Sequence, residues 1–155
     1  MSATTRIAAG LLLLAVGIVP AAAVGATLVR AAGAPEWIEI PFRLVCHGID
    51  SRSLPFAGVV MPICSRCFAL YLGGLAGIAF ALAIPPLRRR PIPAAALLLA
   101  VLPMALDGVS QAAGLRESSN LLRIGTGLLA GAATLIWLVN RIEHAAREQE
   151  PLVLN

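Results

Sequence analysis

A chain of 155 residues in which 59% are hydrophobic and only 13% charged is too apolar for a soluble domain, where about a quarter of residues carry charge. All 12 basic residues are arginines, and the net charge of +4 does not point to nucleic acid, because no basic face carries interleaved aromatic side chains. In such a chain arginines report first which side of a bilayer each loop occupies, so lipid is the expected surrounding and nucleic acid is excluded as a partner.

Met1 to Arg30 places Arg6 before an apolar run from Ile7 to Val29. That run meets the requirement of about 20 apolar residues for a spanning helix. The same stretch can be read as a secretory signal peptide with small-residue sites after Ala23 or Ala26. Because the apolar run continues past both sites, a retained helix is favoured, and Gly17, Ala21 and Gly25 form a small-residue face suited to helix packing. Either reading puts the next segment outside the cytoplasm.

Residues 31–67 follow as an extracytoplasmic loop. Pro35, Pro41, Pro55 and Pro62 exclude a long helix there, and Trp37, Ile38, Ile40 and Phe42 are expected at the membrane interface. A second helix is predicted from Phe68 to Ile84, starting as early as Cys64 if that turn opens it, with Gly73 and Gly77 in GxxxG spacing. The short loop Pro85 to Pro91 carries Arg88, Arg89 and Arg90, a strong signal for the cytoplasmic side. A third helix is expected from Pro93 to Ala113 and a fourth from Leu121 to Val139, where Gly127 and Gly131 repeat the GxxxG spacing. These glycine faces also suit helix–helix oligomerisation.

The expected fold is therefore an all-α integral membrane protein of the plasma (inner) membrane. Four transmembrane helices carry one structured Cys/His loop between the first and second. Residues 1–30 form the first helix, 31–67 the loop, 68–140 the three-helix region and 141–155 a polar cytoplasmic tail. Both termini lie inside and the loop outside. The 12 arginines divide evenly between the two sides, so the orientation rests on the triple-arginine loop.

Asp107 falls well inside the third helix, about 20 Å from its start at 1.5 Å per residue. Burying it there costs about 2.5–3.5 kcal/mol, so a partner is required. Ser110 and Gln111 share its helix face. The loop that follows supplies Arg116 and a helix cap at Ser118, Ser119 or Asn120, and Arg123 lies one turn inside the fourth helix. Two readings stay open. Asp107 and Arg123 can form an ion pair between neighbouring helices. Alternatively Arg116, Arg123 and the helix N-terminus can receive an anionic group such as a lipid phosphate.

All three cysteines sit in one stretch, as Cys46, Cys64 and Cys67, with His47 adjacent to the first. One reading is a Cys₃His site for zinc or a similar divalent metal, in which the Cys64–Cys67 turn presents two sulfurs to one ion. Should one adjacent ligand turn away, an open position remains, as in a catalytic site. A second reading is redox chemistry, with Cys64 and Cys67 activated by a helix N-terminus and Arg66, and Cys46 as a resolving thiol. A third is a plain disulfide with one inert thiol, which leaves the odd cysteine unexplained.

The blocks CHxIxSRS (Cys46 to Ser53), MPICSRC (Met61 to Cys67), the YLG that follows, LDGVSQ, LRESSN and RIGTG resemble the domain-of-unknown-function 2085 family of small membrane proteins. The resemblance spans about Phe42 to Gly131. It implies that the family's marked positions fall on Cys46, His47, Arg52, Pro62, Cys64, Arg66, Cys67, Tyr71, Asp107, Gln111, Arg116, Asn120 and Arg123. It also implies that the cysteine loop and the Asp/Gln/Arg cluster belong to one unit.

The expected function is a metal-organised membrane site that binds or processes a small anionic or lipid-linked ligand. Cys46, His47, Cys64 and Cys67 hold the metal, and Arg52, Arg66, Tyr71, Gln111, Arg116, Asn120 and Arg123 line an adjoining polar pocket. If the protein is an enzyme, an open metal position activates water and Asp107 is the general base. The alternatives are a membrane thiol-disulfide oxidoreductase in which Cys64 attacks, and a non-enzymatic assembly protein.

Overall fold

The computed structural model describes the backbone of residues 1–153 and the side chains of residues 1–149. Among the described residues four helices are long and apolar enough to cross a membrane: α1 (Ala3–Ala31), α2 (Ser65–Ala83), α4 (Ala94–Ala112) and α5 (Asn120–Val153, apolar enough over Asn120–Gln149). A short α3 (Pro85–Arg89) fills the turn after α2. α1 starts where the Ser2 hydroxyl accepts the Thr5 N–H at 3.0 Å, and it runs through a buried Pro20, which membrane helices tolerate.

The chain is not all-α. Between α1 and α2 a 3₁₀ segment (Glu36–Leu44) is followed by an antiparallel hairpin, β1 (Ser53–Phe56) and β2 (Val59–Cys64). Pro35 and Pro41 restrict the first part to tight turns. The β-branched Val59, Val60 and Ile63 favour the pleated hairpin that Pro55 and Pro62 bracket. Its two-residue turn holds both Ala57 and Gly58 at positive φ, the twist that matches a right-handed strand pair. β2 runs straight into α2, so Cys64 is both the last strand residue and the cap of the helix.

α2 and α5 form the centre of the helical part, and glycine makes their approach possible. A Cβ on Gly73 would collide with the Leu128 carbonyl of α5, and one on Gly131 with the Leu70 carbonyl of α2. The two GxxxG pairs are thus each other's partners within one chain, which removes them as surfaces for oligomerisation. α1 packs against α2 and β2 as well as α5. Its Ala23 joins Phe42, Cys46, Met61 and Ile63 in a small core beneath the hairpin. α4 packs mainly on α5, leaving Leu98, Leu99, Leu102, Leu106 and Val109 exposed.

One end of the bundle gathers the connection between α2 and α4. Asn140 of α5 donates to the carbonyls of Leu87 and Arg90, both at 2.8 Å, and accepts the Ile92 N–H at 3.3 Å. Arg88 folds back onto the Ala81 and Leu82 carbonyls that end α2, satisfying groups a helix leaves unpaired. The Ser2 N–H reaches the buried Glu143 at 3.3 Å, so the start of α1 lies at this end too. The hairpin and the α4–α5 connection lie at the other. The polar segment after Val139 continues α5 to Val153; residues 154 and 155 of the expected tail lie outside the described residues.

Candidate metal centre and its cationic walls

The three sulfurs converge through two different devices. Cys46 follows the 3₁₀ segment and is buried in the core beneath the hairpin. Cys64 and Cys67 flank the first turn of α2, the arrangement in which one helical start presents two sulfurs. The Cys64 N–H points at the Cys46 sulfur (3.2 Å) and the Cys67 N–H at the Cys64 sulfur (3.5 Å). All three Sγ atoms lie within 4.8 Å of one another, and all three thiols are free.

Hydrogen bonds to sulfur favour the thiolate. The Cys64 thiol is pulled down to about 5, first by the Cys67 side chain, against an opposing push from burial, and further by the Cys67 N–H, the Cys46 side chain and the Arg66 N–H. Cys64 is therefore the group that ionises first.

The donor set fits a soft or borderline metal, for which thiolates are the preferred ligands. Two sulfurs on one zinc at about 2.3 Å sit about 3.8 Å apart, a separation compatible with three Sγ atoms that lie within 4.8 Å of one another. His47 does not join the cluster: it is exposed, on the rim of the cleft that the three cysteines line. That cleft, of about 330 Å³, is otherwise walled by Arg52, Arg66 and Arg123 together with Gly48, Ile49 and Ala112. Among the described residues no carboxylate lines it.

Asp107 is 2% exposed and is paired with Arg66 and Arg116, not with Arg123. Its Oδ2 accepts from Arg66 and from the Ser118 hydroxyl (2.9 Å), and its Oδ1 accepts from Arg116. The reason lies in the neighbouring geometry. Arg66, in the first turn of α2, reaches across to α4, while Arg123 is drawn to Asn120, whose Oδ1 accepts from it at 2.7 Å and from the Ser65 hydroxyl at 3.0 Å. Asn120 thereby ties the starts of α2 and α5 together.

A second cleft of about 450 Å³ adjoins the first, lined by Gln111, Arg116, Ser118 and Glu117 with Ser51 and Gly114, and it shares Arg52 and Arg123 with the cysteine cleft. Tyr71 lines neither; it is half-buried one turn beyond Cys67 in α2. Ser65 and Ser118 were invisible as site residues in the sequence. The only signal was that both stand at a helix start, where serine usually serves the backbone.

A family model described as "Predicted membrane protein (DUF2085)" matches residues 46–137. The match begins at Cys46 and covers every residue of both clefts. The chain is 43% identical over 103 residues to an uncharacterized protein of Methanothermobacter thermautotrophicus, covering 66% of this chain and 91% of that one. It is 39% identical over 99 residues to an uncharacterized protein of Methanocaldococcus jannaschii, covering 63% of this chain and 64% of that one. No solved structure matches.

Proposed function

Because this chain belongs to the DUF2085 family of predicted membrane proteins, we propose that it is a multi-pass membrane protein whose Cys46, Cys64 and Cys67 hold a zinc-type ion beside a cationic pocket for a small anionic or lipid-linked ligand. The observation that carries the reading is the convergence of three sulfurs within 4.8 Å in a cleft with no carboxylate. Cys46, Cys64 and Cys67 would hold the ion, with His47 on the rim of the same cleft as a further donor. Bound there, a zinc-type ion supplies a Lewis acid. Arg66, in the turn between Cys64 and Cys67, balances the negative charge of the thiolates, and Arg52 and Arg123 attract anions.

Asp107 enters this account as a positioning residue. With both oxygens engaged by two guanidiniums and a hydroxyl, it holds Arg66 and Arg116 in place. The orientation follows the arginines. Arg88, Arg89 and Arg90 sit on the cytoplasmic side with both ends of the chain, which sets both clefts at the outer face. α1 stays attached as the wall under Cys46, since Ala23 is packed into that core.

A second reading has one observation behind it: Cys64 caps α2 and ionises readily, as an attacking thiol must. Its thiolate would displace one sulfur of a partner disulfide, and Cys67 or Cys46 would then release the mixed disulfide, leaving the chain oxidised and the partner reduced. Serine variants separate the two. In the metal reading Cys46→Ser, Cys64→Ser and Cys67→Ser each abolish stoichiometric metal in protein purified without chelator. Retention of full metal by any two of them removes that reading. A mixed disulfide trapped by Cys67→Ser in cells, and absent from Cys64→Ser, would replace it with the exchange reading.

A further inference from the structure

The wall shared by the two clefts is made of guanidiniums. Arg52 and Arg123 border both, and Gln111 of α4 faces them in the outer one. Arg123 is 5% exposed and lies in the first turn of α5, where the positive end of the helix dipole opposes a cation. Arg52 and Arg66 are its like-charged neighbours, opposed in part by the charges of Asp107 and Cys64. Its Nη1 donates to a neutral amide oxygen of Asn120, and its Nε has no partner. Among the described residues no carboxylate pairs with Arg52 or Arg123, and Asp107 is already shared between Arg66 and Arg116. A buried cation with no paired carboxylate and an unpartnered Nε carries a desolvation cost that a bound anion would offset.

We propose that Arg52, Arg123 and the Gln111 amide form a subsite for a phosphate-type dianion, seated beside the cysteine cluster and not on it. The proposal rests on the anionic-ligand part of the function above and is independent of the metal. Two guanidiniums match a dianion in charge, and their planar forks match phosphate oxygens in geometry, where a single carboxylate would satisfy only one of them. The first turn of α5 adds the dipole that disfavours Arg123 alone and favours the anion it would hold. Gln111, a neutral donor on α4, lines the same cleft.

The test uses the full chain in phosphatidylcholine nanodiscs, with inorganic phosphate as the probe in calorimetric titration. Phosphate should bind, and Arg52→Gln and Gln111→Leu should each weaken it about tenfold or more, with metal content unchanged. Arg52 is half-buried, so its variant leaves the folded core intact where Arg123→Gln would strain it. Chelation of the metal should leave phosphate affinity as it was. A second arm adds phosphatidic acid to the nanodisc: competition with phosphate assigns the subsite to a lipid headgroup, and lack of competition to a soluble phosphate ester. Failure of the wild-type chain to bind phosphate, or binding indifferent to both variants, overturns the subsite without touching the metal centre. Loss of phosphate binding on chelation also overturns it, by placing the anion on the metal.

Discussion

Arg66 donates to the carboxylate of Asp107, joining the turn between Cys64 and Cys67 to the last turns of α4. The two are 41 residues apart in sequence, and their pairing places the carboxylate of α4 beside the turn that carries Cys64 and Cys67. A buried aspartate is tolerated because its lone pairs are filled by Arg66, Arg116 and Ser118, and Arg66 is held because Asp107 cannot move.

Removing one partner of that set should be costly. Asp107→Asn is expected to lose about 3–5 kcal/mol of stability, because it strands a guanidinium below the surface, and to weaken metal binding about 10–100-fold through loss of ligand positioning. Arg116 is 46% exposed, and Arg116→Gln should cost under about 1 kcal/mol. Thermal unfolding in detergent, with metal content measured on the same samples, checks both.

Glycine substitutions should separate the α2–α5 contact from intrinsic helix preference. Gly131→Ala pushes a methyl group into the Leu70 carbonyl and should destabilise by about 1–3 kcal/mol or more. Gly125 has open space around it, and Gly125→Ala should be neutral or stabilising by about 0.5–1 kcal/mol. Equal effects in the same unfolding assay would contradict the assigned interface.

The Cys64 thiol sets a pH dependence in the metal-free protein. Its folded value of about 5 lies below the ordinary 9.0, so the folded state holds fewer protons than the unfolded one between these limits. The stability that Cys64 contributes should rise with pH across that window, be complete above 9.0, where the raised Cys67 thiol begins to oppose it, and be lost as pH falls through about 5. Alkylation of Cys64 in a Cys46→Ser background should keep its thiolate character at neutral pH, then slow as the pH approaches 5. A reaction rate that rises only near the ordinary thiol value would refute the assignment.

The orientation is tested by reporter fusions after the last residue. A fluorescent protein joined there should fluoresce, and alkaline phosphatase should be inactive. Active phosphatase would move the cysteine cleft to the cytoplasm.

The four helices were legible because long apolar runs admit few alternatives in lipid. The hairpin was not: its turn is Ala57-Gly58, with alanine forced to positive φ, and no common hairpin dipeptide announces it. α5 outran its expected end because Arg141 to Gln149 is polar yet rich in good helix formers. The cysteine spacing exposed the centre, and the small-residue spacing exposed both glycine pairs. What spacing cannot encode is who pairs with whom across space. Of the two readings left open for Asp107, the pair with Arg123 does not form: Asp107 meets Arg116 and Arg66, the latter brought near by the close α2–α5 packing that Gly127 and Gly131 permit.

The most direct measurement is metal content of the full chain, purified without chelator, with thiols counted before and after a chelator is added. The account predicts about one zinc-type ion per chain, three thiols slow to react before chelation and all three reactive after it. Three fully titratable thiols with no bound metal would contradict it.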